Sequence, residues 1–263
     1  MNIALYESHI VWEDKEKNIE LFTENARHLT DYSDLDLICL PEMSFTGFSM
    51  NAKKTCDVDG ETIDKMISIA RDLNVNISFG WVEKGEDTFY NHYSIVDKEG
   101  VLLDYIKIHP FSFGGESAVF SGGEALSICS ICGFNIGVQI CYDLRFPETF
   151  RILSKKSDLI IVPANWPSKR VLHWDILLKS RAIEDQVFIA GINCIGNMDA
   201  QDYPGHSCVI KPEGDAVIGK IIDFDSGTKT HVFNIDNNVE SCREKFPVRA
   251  DIREELYRKL RRE

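Results

Sequence analysis

Three side chains that could carry out hydrolysis each follow an apolar run typical of a buried β-strand. They are Glu42, Lys107 and Cys141, which lie far apart in the chain. Because ligand sites in α/β sheets favour the carboxyl ends of strands, we expect these three groups to converge. A thiol can attack a carbonyl carbon while a carboxylate takes its proton and an ammonium group stabilises the oxyanion. Taken singly, each residue has an ordinary structural explanation: a loop glutamate, a surface lysine and a small buried cysteine.

The segment around Cys141 has a pattern that suits a nucleophile. A strand runs into the cysteine, and a turn and a helix beginning near Pro147 follow it. We expect a thiol in this position to face backbone N–H groups and Arg145, both of which favour the thiolate. His109, close to Lys107, is another possible general base, but its place directly before a proline favours a structural role.

The elements that must position these groups alternate between helices and strands. The predicted helices are Lys15–Thr30, Glu61–Leu73, Pro147–Ser154 and Val171–Asp185, with a charged helical tail from Asp251. The predicted strands are Asn2–Tyr6, Leu35–Leu40, Val75–Val82, Asn91–Asp97, Val101–Ile106, Phe134–Ile140, Leu159–Val162 and Val187–Cys194, followed by hairpin-like strands through Asp236. This order predicts a layered α/β fold, built either as two packed sheets between helical layers or as one doubly wound sheet.

The composition argues against several other classes of protein. A net charge of −13 on 263 residues repels nucleic acid and anionic membranes, and no apolar run is long enough to span a bilayer. The amino terminus lacks the basic region of a signal peptide, so we predict a cytoplasmic protein whose eight cysteines are thiols. Cys129 and Cys132 form a CxxC among apolar residues, which indicates a strand and a turn rather than a metal site. The basic stretch Arg258–Arg262 is flanked by glutamates and indicates a solvated helical tail.

Three motifs give the chain a resemblance to a known family. They are Leu40-Pro41-Glu42, Tyr105-Ile106-Lys107-Ile108-His109 and the run from Cys141-Tyr142-Asp143 to Glu148. In their order and spacing they resemble the motifs of the nitrilase, or carbon–nitrogen hydrolase, superfamily, which uses a Glu–Lys–Cys triad. The resemblance covers nearly the whole chain.

The resemblance implies a fold and a set of catalytic roles. The implied fold is a four-layer α-β-β-α sandwich, formed by a single domain over residues 1–263. Cys141 would be the nucleophile, Glu42 the general base and Lys107 the cationic stabiliser, with a thioester intermediate and no metal or organic cofactor. A second glutamate assists in this family, and we assign that role to Glu116, with Glu124 as the alternative.

Further segments favour one branch of the family. Asn165-Trp166-Pro167, His173-Trp174 and Arg243–Pro247 resemble segments of the omega-amidases. Those enzymes hydrolyse the terminal amide of small 2-oxo acids such as 2-oxoglutaramate and 2-oxosuccinamate. Two alternatives remain: an amidase for N-carbamoyl compounds or deaminated-glutathione-type amides, and a non-catalytic binding protein on the same fold.

The resemblance also suggests which residues contact the small amide substrate. We expect five of them to do so: Phe111, Tyr142, Arg145, Asn165 and Trp166. Trp166 could equally belong to the core. Arg145 either holds a substrate carboxylate through two parallel hydrogen bonds, or pairs with Asp143 or Glu148 and braces the turn. The family resemblance further implies a homodimer or higher homo-oligomer, with contacts through the C-terminal tail, about residues 239–263.

Overall fold

The computed structural model describes residues 1–32 and 34–260. The helices are α1 (Lys15–Tyr32), α2 (Ala52–Thr55), α3 (Glu61–Leu73), α4 (Pro147–Leu153), α5 (Val171–Asp185), α6 (Val239–Lys245) and α7 (Glu254–Leu260). The strands are β1 (Asn2–Glu7), β2 (Leu37–Cys39), β3 (Asn76–Lys84), β4 (Phe89–Val96), β5 (Val101–Ile106), β6 (Ile128–Ile131), β7 (Phe134–Val138), β8 (Leu159–Ala164), β9 (Phe188–Asn193), β10 (Ile195–Met198), β11 (Gln201–Pro204), β12 (Cys208–Ile210), β13 (Lys220–Asp223) and β14 (Lys229–Asn234).

The strands form two large sheets and a separate β10–β11 hairpin. The larger sheet has seven strands in the order β13-β14-β1-β2-β3-β4-β5, and β1, β2 and β3 are parallel at its centre. The smaller sheet has five strands in the order β12-β9-β8-β7-β6, with β7, β8 and β9 parallel. Each parallel centre brings several carboxyl ends to one edge, so the side chains that follow these strands can meet there.

The two sheets pack face to face, and helices cover their outer faces. Leu5 of the larger sheet and Ile161 of the smaller one belong to the same central core. Phe22 of α1 packs on the outside of the larger sheet, whereas Phe150 of α4 and Trp174 of α5 pack on the outside of the smaller one. The predicted four-layer α-β-β-α sandwich is therefore confirmed. Burial of each such side chain contributes about 1.5–3 kcal/mol.

Most predicted elements lie where the sequence pattern places them. Helices Glu61–Leu73 and Val171–Asp185 have the predicted bounds. Helices α2 and α6 were not predicted, because both are short and neither repeats an apolar pattern over several turns. Helix α7 begins at Glu254 rather than near Asp251. The last part of the predicted basic tail, residues 261–263, lies outside the described residues.

The CxxC segment is a β-hairpin, as its apolar surroundings predicted. Cys129 lies in β6, and Cys132 and Gly133 form the turn before β7 with φ angles of 48° and 78°. Positive φ at both central residues is typical of the tight turns that match strand twist. Separately, no helix within residues 1–32 and 34–260 has both the length and the apolar composition needed to cross a membrane.

Candidate active site

Glu42 lies just beyond the end of β2 and contacts both sheets. Its side chain is fully buried, and its Oε1 accepts hydrogen bonds from Lys107 Nζ at 2.8 Å and Asn91 Nδ2 at 2.9 Å. Asn165, at the end of β8 in the smaller sheet, donates its backbone N–H to Glu42 Oε2 at 3.1 Å. The Asn165 side-chain amide also donates to the backbone carbonyl of Glu42 at 2.6 Å. The carboxylate is therefore held from two sides.

Lys107 is a buried ammonium group between two carboxylates. Besides its contact with Glu42, its Nζ lies 2.7 Å from Oε2 and 3.0 Å from Oε1 of Glu116. Glu116 is buried in the loop after Lys107, where it also accepts the backbone N–H of Phe111 at 2.6 Å and Asn91 Nδ2 at 3.1 Å. Glu124, the alternative second glutamate, is exposed to solvent. The structure thus brings Glu116, rather than Glu124, next to Glu42 and Lys107.

Cys141 begins a short 3-10 turn after β7 and has a strained backbone. Its φ angle is +45°, in the left-handed region that residues other than glycine seldom occupy. Such strain clusters at functional sites, where the surrounding structure maintains it. Here the turn is maintained by Asp143, which is buried and accepts the backbone N–H of Ile140 at 3.0 Å.

Asp143 also links the cysteine turn to the segment after Lys107. It accepts hydrogen bonds from Tyr105 Oη at 2.8 Å and from the backbone N–H of His109 at 2.9 Å. The His109 ring bonds to the same carboxylate at 2.7 Å through Nδ1 and stacks on Phe146. Because the ring is committed to Asp143, His109 has the structural role that its position before Pro110 favoured.

Burial and neighbouring charges shift the pKa values of Cys141, Lys107 and Glu116. Burial raises the pKa of Cys141 well above its usual value and the negative charge of Glu42 raises it further, whereas Lys107 opposes the rise. Burial alone would lower the pKa of Lys107, but the charges of Glu116 and Glu42 hold it above its ordinary value. Burial also raises the pKa of Glu116, against the effect of Lys107. At neutral pH the lysine is therefore charged and the thiol is protonated.

The expectation that Cys141 would favour the thiolate is wrong. It rested on backbone N–H groups and on Arg145, but that guanidinium lies over the Trp166 ring, 4.8 Å from its centroid, and Nη2 is 3.3 Å from His173 Nδ1. The two carboxylates beside the thiol outweigh the single charge of Lys107. A base must therefore take the proton of Cys141 when the sulfur reacts, and Glu42 is the acceptor with which the thiol interacts.

A cavity of about 320 Å³ opens in front of Cys141. All five predicted substrate contacts line it: Phe111, Tyr142, Arg145, Asn165 and Trp166. Trp166 is nevertheless almost fully buried and also packs in the core of the smaller sheet, so both interpretations of that residue hold. A larger groove between α1 and α3 lies elsewhere, and Cys141 does not line it.

Arg145 faces this cavity and does not brace the turn through an ion pair. Among the described residues it has no salt bridge with Asp143 or Glu148. The Asp143 oxygens are instead taken by Tyr105, His109 and the backbone of Ile140. The guanidinium is thus held by aromatic faces and directed at the space where a substrate would bind.

Several residues of the site gave no recognisable signal in the sequence. Asn91 lies on β4 within a run that looks like an ordinary strand, yet it bonds to both Glu42 and Glu116. Arg170 lies over the Phe111 ring at 5.5 Å. Phe48, by contrast, belongs to the segment behind Leu40-Pro41-Glu42 that also resembles the family, and it lies under the Lys107 ammonium at 5.2 Å. Arg170 directly follows the Asn165-Trp166-Pro167 segment, so proximity to a motif was the one available indication.

Comparison with known proteins agrees with this geometry. The family model described as carbon-nitrogen hydrolase matches residues 2–243 of the chain.

The chain belongs to the carbon–nitrogen hydrolase family.

Relatives of this carbon–nitrogen hydrolase include named amidases. The omega-amidase YafV of Escherichia coli is 32% identical over 252 residues, which cover 95% of this chain and 96% of the relative. The 2-oxoglutaramate amidase of Bacillus subtilis is 32% identical over 251 residues, or 92% of each protein. The chain is thus a nitrilase-superfamily amidase, a hydrolase of non-peptide carbon–nitrogen bonds.

Solved structures agree with the fold. A CN-hydrolase superfamily protein from Xanthomonas campestris, which carries an arsenic adduct in its active site, is 30% identical with a TM-score of 0.85, and the match covers 96% of this chain and 97% of that one. An amidase from Nesterenkonia sp., with acrylamide added to its active-site cysteine, has a TM-score of 0.83 at 23% identity and 99% coverage of both chains. The second similarity concerns the fold alone.

A close approach between β3 and the Glu42 loop of this hydrolase gives a testable prediction. A Cβ on Gly80 would lie 2.3 Å from the backbone N of Met43 and 2.9 Å from the carbonyl carbon of Glu42. Gly80→Ala is therefore expected to displace Glu42, lower the free energy of unfolding by about 1–3 kcal/mol and reduce amide hydrolysis at least about tenfold. Urea unfolding and ammonia release measure the two effects.

The matched control for this substitution is Gly85→Ala. There the nearest atom to an added Cβ belongs to the Tyr90 ring, which can move. This variant should keep its activity. Equal activity of Gly80→Ala and the parent protein would show that the position of Glu42 does not depend on this contact.

Proposed function

We propose that this amidase hydrolyses the terminal amide of a small 2-oxo acid, such as 2-oxoglutaramate or 2-oxosuccinamate, to the dicarboxylate and ammonia. The observation that carries the proposal is the charge of the cavity beside Cys141. Three cations line it, Arg145, Lys169 and Arg170, against one carboxylate, Asp199. In a chain of net charge −13, this local excess of positive charge favours an anionic substrate.

The acylation step follows from the protonated thiol. Cys141 Sγ attacks the amide carbon while Glu42 takes the thiol proton, so that no free thiolate is needed beforehand. The Lys107 charge, with the backbone N–H of Tyr142, stabilises the tetrahedral oxyanion, and one such donor is worth about 3–4 kcal/mol. Glu42 then passes its proton to the departing nitrogen. Ammonia leaves, and the acyl group remains on sulfur as a thioester.

Deacylation repeats the same transfers with water. Glu42 takes a proton from the water that attacks the thioester carbon, and the thiol of Cys141 regains a proton as the acid leaves. Glu116 does not reach sulfur or substrate in this scheme. It holds the Lys107 ammonium and, through Asn91, the orientation of Glu42. Glu116 is therefore proposed as a positioning residue.

The size and lining of the cavity support a short substrate. About 320 Å³ is at the lower end of the range, about 300–1,000 Å³, that small-molecule sites occupy. Aromatic rings of Phe111, Tyr142 and Trp166 form its walls. The relatives named omega-amidase and 2-oxoglutaramate amidase support the same substrate class.

Ammonia release from a panel of amides tests the proposal. The panel contains 2-oxoglutaramate, 2-oxosuccinamate, glutamine, asparagine, an N-carbamoyl amine and a deaminated-glutathione-type amide. We expect kcat/KM for the 2-oxo acid amides to exceed that for glutamine and asparagine by at least about 100-fold. Cys141→Ser should abolish release. Inactivity on both 2-oxo acid amides would remove this specificity, and a fully active Cys141→Ser variant would remove the enzyme mechanism.

We also propose that the chain forms a homodimer. Leu172, Ile176 and Ile183 are exposed on one face of α5, and such apolar surface favours association. Light scattering at micromolar concentration should give about twice the chain mass of 29.9 kDa. A monomer under those conditions would contradict the proposal.

A further inference from the structure

Arg170 is a second guanidinium at the cavity, and within residues 1–32 and 34–260 it forms no salt bridge with a carboxylate. Its Cζ lies 5.5 Å from the centre of the Phe111 ring, and it lines the same cavity as Cys141 and Arg145. Among the salt bridges of the described residues, none includes Arg145, Lys169 or Arg170. These cations are therefore available to a ligand.

Trp166 contacts both arginines, Arg145 through its side chain and Arg170 through its backbone. Its indole Nε1 donates a hydrogen bond to the backbone carbonyl of Arg170 at 2.7 Å, and the face of the same indole lies under Arg145. Trp166 is itself held by its backbone N–H, which donates to Asn193 Oδ1 at 2.7 Å. One buried ring thus contacts the Arg145 guanidinium and the Arg170 backbone, and all three residues line the same cavity.

The two guanidinium groups repel each other in the absence of an anion. Burial lowers the pKa of Arg145, and the positive charge of Arg170 lowers it further. A partly buried pair of like charges is unfavourable unless an anion lies between them. Neither arginine stabilises the fold through a salt bridge among the described residues. This indicates that the two guanidinium groups serve to bind an anionic ligand.

We propose that Arg170 acts with Arg145 as a specificity site that accepts a 2-oxo acid head and rejects a 2-amino acid head. This inference rests on the proposed function. A 2-oxo acid offers three acceptor oxygens, two from the carboxylate and one from the ketone, which is enough for two guanidinium groups. A 2-amino acid replaces the ketone with an ammonium group, which is cationic and can only donate. Placed against Arg170, it adds a third positive charge.

Four amides of equal length separate these contributions. 2-Oxosuccinamate carries the ketone, succinamate has an unsubstituted carbon in its place, and asparagine has an ammonium group there. Butyramide is the amide with a neutral head. The variant is Arg170→Gln, with Arg170→Lys to restore the charge without the planar donor pair. Lys98→Gln is the matched control, because it removes one exposed positive charge from the turn between β4 and β5, does not line the cavity and lies outside α5.

The expected result is a loss of selectivity. In Arg170→Gln, the ratio of kcat/KM for 2-oxosuccinamate to that for asparagine should fall about 10- to 100-fold, mainly through a higher KM for 2-oxosuccinamate. Arg170→Lys should recover part of the ratio, and Lys98→Gln should keep it. An equal loss on all four amides would show a structural role for Arg170 and overturn the inference, as would an unchanged ratio.

A binding measurement keeps this inference separate from the proposed function. Oxaloacetate and aspartate are the acids that correspond to 2-oxosuccinamate and asparagine, and calorimetry measures their binding without turnover. One outcome is that no 2-oxo acid amide is hydrolysed, but oxaloacetate binds in preference to aspartate and Arg170→Gln removes this preference. That outcome would support the specificity site and contradict the proposed reaction. The other outcome is that 2-oxo acid amides are hydrolysed and Arg170→Gln keeps both the kcat/KM ratio and the binding preference for oxaloacetate. That outcome would support the proposed reaction and contradict the specificity site.

Discussion

A Lys107→Met variant is expected to lose ammonia release and to unfold with a free energy about 3–5 kcal/mol smaller than that of the parent protein. The reason is that Glu42 and Glu116 both use the buried ammonium group as their charged partner, at 2.8 and 2.7 Å. Methionine fills much of the same volume but leaves two carboxylates side by side without a cation. Urea unfolding measures the loss of stability, and the amide assay measures the loss of activity.

The stability deficit of this variant should depend on pH. Burial and the charge of Glu42 raise the pKa of Glu116 and Lys107 opposes the rise, so without the lysine the folded-state pKa of Glu116 lies still further above its unfolded value of about 4.3. A raised pKa means that the folded state binds protons more tightly, so stability is lost as pH rises through that window. The deficit relative to the parent protein should therefore be larger at pH 8 than at pH 5.

Two controls distinguish this effect from a general response to the substitution. Lys17→Met removes a solvent-exposed ion pair with Glu20 on α1, and its urea unfolding midpoint should equal that of the parent protein. Lys107→Met combined with Glu116→Gln removes one of the stranded charges and should recover part of the stability without recovering activity. Equal stability of Lys107→Met and the parent protein at pH 8 would contradict the arrangement of charges described above.

A Glu42→Gln variant is expected to change two rates in opposite directions. Loss of the general base should lower kcat for amide hydrolysis by about 10²- to 10⁴-fold. The negative charge of Glu42 is one cause of the raised pKa of Cys141, second to burial, so a neutral amide lowers that pKa. The thiolate fraction at a given pH then rises, and alkylation of Cys141 by iodoacetamide should become faster between pH 7 and 9.

The control for this pair of measurements is Glu124→Gln. Glu124 follows Lys107 in the chain, as Glu116 does, but is exposed, so neither rate should change. If alkylation and amide hydrolysis fell together in Glu42→Gln, Glu42 would be needed for the position of the cysteine rather than for transfer of its proton.

The positions of the reactive groups were predictable because each follows a strand with a clear apolar pattern. The rule that carboxyl ends of strands meet at one edge predicted that Glu42, Lys107 and Cys141 could converge, and the three family motifs were needed to choose them as the reactive groups. The layered architecture followed in the same way from the alternation of helices and strands. The choice between two packed sheets and one doubly wound sheet rested on family resemblance, since periodicity does not report which strands pair.

The contacts around these groups were not predictable, because they depend on pairing between distant strands. Asn91 reaches Glu42 only because β4 lies beside β3, and the backbone N–H of Asn165 reaches it only because the two sheets pack together. The direction of the pKa shift of Cys141 was missed for the same reason. The nearest positive charge in sequence, Arg145, lies over an aromatic ring, whereas the distant Glu42 interacts with the thiol.

The hydrogen bonds from Asn165 to Glu42 limit where the protein can accept substitutions. The proposed base, Glu42, follows a strand of the larger sheet and the proposed nucleophile, Cys141, follows a strand of the smaller one, so the two groups meet only while the sheets keep their alignment. Drift of one sheet by an ångström would separate sulfur from carboxylate even if every loop kept its shape. Substitutions that alter which amide is accepted should therefore accumulate at the cavity entrance, around Lys169 and Arg170. The interface between the two sheets should tolerate few substitutions.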